Sequence, residues 1–115
     1  MQHDDRIRLQ HMLDAVRDAL SFAAGRRRDD LDTDRQFLLA VIKCLEIVGE
    51  AASRVSEETR SRFGTLPWRD IIDMRHRLIH GYYDINHDVV WSTLRHDLPS
   101  LEEQLAEALE SAGES

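Results

Sequence analysis

The chain of 115 residues has one cysteine, one lysine, two prolines and five glycines. A lone Cys44 excludes an internal disulfide framework and every CxxC metal or redox motif. So little Gly and Pro argues against collagen-like or low-complexity character, and against a turn-rich all-β fold. Long hydrophobic runs are also missing. The longest, Phe37 to Ile42, is far too short to span a bilayer. The start, Met1-Gln2-His3-Asp4-Asp5, is polar and acidic and carries no visible secretory signal. The expected setting is therefore a reducing cytoplasm, with no membrane partner. What is present is an ordinary globular balance, 42% hydrophobic and 32% charged, sized for one domain spanning 1–115.

The net charge of -7 argues weakly against a nucleic-acid binder. Its distribution changes that reading. From Asp97 onward there are six acidic residues and no basic one, so the first 96 residues carry a net charge of only -1. The basic set is 14 Arg and Lys43. Guanidinium forks suit phosphate, so an RNA or phosphate partner stays open, although most arginines are expected to pair with surface carboxylates.

Apolar spacing is helical almost throughout. Leu9, Leu13, Val16, Leu20 and Ala23 form one stripe that ends near Gly25. Arg26 to Asp32 reads as a solvated connector. Thr33-Asp34-Arg35-Gln36 fits a capping box with Thr33 as the cap. The helix it opens carries Phe37, Val41, Leu45, Val48, Ala52 and Val55 on one face. Mid-helix Gly49 costs stability relative to Ala, so close approach of another helix is expected there, with Glu50 free to pair with an arginine, one of the motif arginines included. Ser56 caps a short segment stopping at Gly64. Pro67 starts a helix whose apolar side is Trp68, Ile71, Ile72, Leu78 and Ile79, with Gly81 as its stop. Asn86 or Asp88 opens the next, with Trp91, Leu94 and Leu98 inward, and Pro99 breaks or kinks it. Ser100-Leu101-Glu102-Glu103 is a second capping box. No run reads as a strand. The expected architecture is an all-α bundle of four to five helices.

The chemistry is concentrated in Met74-Arg75-His76-Arg77-Leu78-Ile79-His80-Gly81-Tyr82-Tyr83. The pattern Arg75-x4-His80-x-Tyr82 resembles the HepT-like proteins of the HEPN superfamily. Gly49-Glu50-Ala51-Ala52, Pro67-Trp68, Trp91 and Asp97-Leu98-Pro99 extend the resemblance over roughly residues 5 to 110. The residue after the arginine is often Asn in that family and is His76 here. The resemblance implies a metal-independent endoribonuclease with no cofactor. It implies a homodimer whose motif helices face each other across a shared cleft. It also implies the toxin role in a type VII-like toxin–antitoxin pair. The antitoxin would be a minimal nucleotidyltransferase that silences the toxin by attaching AMP to the motif tyrosine, Tyr82.

Residue chemistry fits that implication. Metal-free RNA cleavage uses the 2′-hydroxyl as nucleophile and needs a base, an acid and cationic donors for the phosphorane. Histidine titrates near neutrality and can serve as base or acid. Arginine stays charged and offers several donors to phosphate oxygens. Arg75 and His80 are thus the candidate catalytic pair, with His76 and Arg77 as candidate substrate contacts. His80 at a helix C-terminus would be favoured in its protonated form. Five positions turn an ideal helix by about 140°, so Arg75 and His80 share no stripe. Either the helix unwinds near His80, or Arg75 reaches around, or a dimer supplies both halves.

Each residue also has a plainer role. His80 could cap helix carbonyls, and Arg75 could pair with Asp73 or Asp70. His76 could be solvated or dimer-facing, Arg77 a surface charge, and Tyr82 packed aromatic. Asp73, His76 and His80 at i, i+3 and i+7 could hold a divalent metal, which Arg75 and Arg77 oppose; no metal site is expected. The rival function is a catalytically inactive all-α dimeric binding subunit of a nucleotidyltransferase partner.

Overall fold

Eight α-helices, a short β-ribbon and one π-helical turn make up the computed structural model, which describes residues 1–80 and 84–114. Three long helices form the scaffold: α1 (His3–Ala23), α3 (Arg35–Ser53) and α8 (Leu98–Glu114). Shorter elements sit between them: α2 (Asp30–Thr33), α4 (Glu57–Arg62), α5 (Trp68–Ile72), α6 (Met74–Leu78), β1 (Ile79–His80), β2 (Asp84–Ile85) and α7 (His87–Ser92). The all-α expectation holds, with the two-residue strands as the exception.

The core is the one that helical spacing demands. Leu9, Leu13 and Val16 of α1 are buried against Phe37, Val41, Leu45, Val48 and Ala52 of α3, while Leu98, Leu101 and Leu105 of α8 close the bundle. Each fully buried Leu or Val contributes about 1.5–3 kcal/mol relative to exposure. Trp91 is only partly buried, and Val90 fills the inward position instead. Gly25 leaves α1 with φ +74°, a backbone that favours glycine.

Several boundaries fall elsewhere than the sequence suggests. Thr33 is the last residue of α2, and Asp34 caps α3 by accepting from Phe37 N–H at 3.1 Å. Arg26 decides this by holding the Asp34 carboxylate at 2.6 Å, which together with the Phe37 amide draws it below the ordinary carboxylate pKa. Ser56 and Asn86 do cap α4 and α7. Pro99 does not break its helix, and Ser100 does not begin one. The chain instead widens into a π-turn at Thr93–Asp97 and continues as α8 from Leu98. The wider turn absorbs the missing proline N–H and its ring.

A buried carboxylate ties the ends of the scaffold. Asp5 accepts from Ser56 N–H at 2.9 Å, Ser56 Oγ at 2.6 Å and Thr59 Oγ1 at 2.6 Å. Burial alone would raise its pKa, but these hydrogen bonds outweigh the desolvation and hold it below the usual value.

Candidate functional site

The expected single helix from Pro67 to Gly81 is two short helices and a ribbon. Asp73 ends α5, its N–H bonding to Arg69 C=O at 2.9 Å, and its own carbonyl accepts from His76 N–H at 3.0 Å to start α6. Met74 and Leu78 of α6 point into the core, so Arg75, His76 and Arg77 between them are exposed. The helix then stops at Leu78, because the Leu78 carbonyl is taken at 2.8 Å by Asn86 N–H, arriving from beyond the ribbon. Ile79 adopts extended backbone and pairs with Ile85, and His80 pairs with Asp84.

This corrects two expectations about His80, its place at a helix end and its shared face, and of the three ways to bring it to Arg75 it shows the unwinding one. It sits on β1, not at a helix C-terminus, so the helix dipole does not act on it in the way proposed. It shares no helical face with Asp73 and His76. The separation of about 140° between Arg75 and His80 is resolved by unwinding the chain. Gly81, Tyr82 and Tyr83 lie outside the described residues, as does the side chain of His80.

Arg75 stands on the wall between two hollows and lines both. Among the described residues it has no ion-pair partner; Asp73 instead meets His76, with Oδ1 2.6 Å from Nδ1. The first hollow, about 600 Å³, is lined by His76 beside Arg75, by Arg8 and His11 of α1, and by Lys43 of α3. The second, about 560 Å³, brings Arg75 together with Arg35, Asp32, Asp84 and His87. Arg77 does not join either. Its guanidinium is 4.0 Å from Asp97, and it lines a separate hollow of about 330 Å³ with His96 and Leu98. Glu50 pairs at 3.0 Å with Arg54, not with a motif arginine.

Two supports position the motif. A Cβ added at Gly49 would lie 3.1 Å from the Ile71 carbonyl oxygen, so α5 rests directly on the α3 backbone, as the mid-helix glycine suggested. On the far side of the ribbon, His87 Nδ1 lies 2.6 Å from Asp32, while Arg28 bonds Asp32 and Asp88, each at 2.7 Å. Hydrogen bonding from His87, then from Arg28, holds the Asp32 carboxyl below its usual pKa. The stretch after Gly25 is thus an ion-pair clamp from α2 to α7, not a solvated connector. Sequence reasoning missed it because Asp32 and His87 are 55 positions apart. It also missed Arg8, His11 and Lys43; the available signal was Arg8 and His11 at i, i+3 on α1, one turn beside the buried Leu9 and Met12.

Among the described residues, no group of three or more His, Cys, Asp or Glu side chains is arranged to hold a metal ion. No helix among them is long and apolar enough to cross a membrane.

Comparison with known proteins agrees with the motif. The family model described as "Ribonuclease HepT-like" matches residues 12–108. The "Putative RNase" of Caldanaerobacter subterraneus is 32% identical over 102 residues, covering 89% of this chain and 91% of the relative. The "Probable ribonuclease HepT" of Thermococcus cleftensis is 37% identical over 73 residues, 64% of this chain and 66% of the relative. No solved structure matches the chain.

Proposed function

Because the chain belongs to the HepT-like ribonuclease family, we propose that it is a metal-independent endoribonuclease whose centre is Arg75 and His80. The carrying observation is Arg75: exposed, without an ion-pair partner among the described residues, and set between two hollows, five positions before His80 on the adjoining ribbon. Arg26, Arg28 and Arg54, by contrast, are engaged by carboxylates, and Arg60 by the backbone carbonyls of Val55 and Ser53.

In the proposed reaction a base removes the 2′-hydroxyl proton and the 2′-oxygen attacks phosphorus. The bond from phosphorus to the 5′-oxygen breaks, and an acid protonates that oxygen. The products are a 2′,3′-cyclic phosphate and a 5′-hydroxyl. His80 supplies a proton-transfer group and Arg75 stabilises the charge on the phosphorane. His76, in the same hollow as Arg75, contacts substrate. Arg77 meets RNA only beyond this hollow. Imidazole can serve as base and as acid, and two copies of the motif across a homodimer cleft would supply a His80 for each role. The exposed apolar residues Leu39 and Ile47 on α3, one lining each hollow that Arg75 lines, support a second copy docking on this side.

The same reading makes the protein the toxin of a pair with a minimal nucleotidyltransferase antitoxin in the cytoplasm. AMP on Tyr82, two residues past His80, would bring phosphate charge and bulk to the centre. The test is cleavage of RNA by purified protein in excess chelator. The expected result is cleavage by wild type and none by His80→Ala; equal cleavage by the two removes His80 from the centre. The inactive binding subunit draws support from the net charge of -7. It predicts harmless expression and tight co-purification with a nucleotidyltransferase, whereas the enzyme predicts growth arrest relieved by Arg75→Ala.

A further inference from the structure

The two hollows beside Arg75 are similar in size and differ in electrostatic balance. In the first, Arg54 is neutralised by Glu50 at 3.0 Å. That leaves Arg8, Lys43 and Arg75 facing Glu46 alone, with His11 and His76 beside them. None of those three cations has an ion-pair partner among the described residues. In the second, Arg35 and Arg75 face Glu46, Asp84 and Asp32, and Asp32 is already held by Arg28 and His87.

A concave wall with uncompensated cations concentrates a polyanion, and one whose cations are matched by carboxylates does not. The contrast matters more in a chain whose net charge is -7, because general attraction to RNA is absent. We infer that the RNA backbone leaves Arg75 through the first hollow, with Arg8 of α1 and Lys43 of α3 as phosphate contacts and His11 beside them. This rests on the ribonuclease reading above and extends it to the path of the strand. Arg8 and Lys43 are positioning residues: they hold phosphates flanking the scissile one and touch no reacting atom.

The experiment measures binding of a fluorescent 2′-O-methyl oligoribonucleotide, which cannot be cleaved, across a series of salt concentrations. Each single-strand phosphate contact contributes about 0.7 to the salt slope. Arg8→Gln with Lys43→Gln is expected to lower the slope by about 1.4 and weaken binding roughly tenfold or more at moderate salt. The charge-retaining pair Arg8→Lys with Lys43→Arg should restore most of it, which a loss of fold would not allow. Arg35→Gln, in the other hollow, should change affinity less than about twofold. In cleavage assays the double Gln variant should raise KM with kcat nearly unchanged. An unaltered salt slope, or an equal loss in Arg35→Gln, overturns this path. Wild-type protein that binds with this dependence and cleaves no RNA under any condition sinks the enzymatic reading while the path stands.

Discussion

The three long helices and the segment from Trp68 to Asp97 are built by different means. In α1, α3 and α8, apolar residues recur at helical spacing and burial holds the structure. Among the described residues of the motif segment, six short elements follow one another and the longest helix has six residues. There the backbone is directed by particular polar contacts: the Asp73 carbonyl, the Asn86 amide on Leu78 C=O, and His87 on Asp32. The difference teaches that the scaffold tolerates exchange of similar apolar residues, whereas the motif depends on individual groups. Substitutions should therefore separate stability from activity.

The largest effect should come from Arg75→Ala and His80→Ala. Each is expected to lower cleavage by about 10²–10³-fold or more, with the melting temperature nearly unchanged. Steady-state kinetics with thermal melts checks both halves, and a matching fall in melting temperature would erase the distinction between the regions. Next is Asp5→Ala, which strands three donors at a site 3% exposed. A destabilisation of about 2–3 kcal/mol is expected by urea denaturation, with kcat unchanged in folded protein. Because the Asp5 carboxyl is held below its usual value, its contribution is present above about pH 4 and is lost as pH falls through the folded pKa.

Gly49→Ala sharpens the comparison where the two regions meet. Better helix propensity favours it by up to about 1 kcal/mol, while a Cβ 3.1 Å from Ile71 O must push α5 by a few tenths of an ångström. Stability should change by less than about 1 kcal/mol, and cleavage should drop severalfold because α5 leads directly into Arg75. The smallest effect is expected from His87→Asn. It opens a half-buried clamp, lowers the melting temperature only slightly, and its effect shrinks further in high salt.

The same division explains what could be read from the amino acids. Core faces were legible because Leu9, Leu13, Val41, Leu45 and Val48 are spaced as helices require. Gly49 was legible because a mid-helix glycine has few purposes. Between Thr33 and Asp34 both residues can cap, and only the guanidinium of Arg26, arriving from eight positions away, selects Asp34. Likewise a helix through Ile79 was reasonable locally. It ends at Leu78 because a donor from Asn86 claims the carbonyl, and no periodicity within the helix records that. The motif pointed to Arg75 and His80 as candidates, but not to Arg75 bordering two hollows or to Arg77 turning toward Asp97.

The most direct measurement is the chemistry of the product ends when wild-type protein cuts a defined RNA in excess chelator. A 2′,3′-cyclic phosphate with a 5′-hydroxyl, and no cleavage at a site carrying a single 2′-deoxy substitution, is the result expected of a centre that activates the 2′-hydroxyl. Products with a 3′-hydroxyl and a 5′-phosphate, or undiminished cleavage of the deoxy-substituted strand, would contradict it.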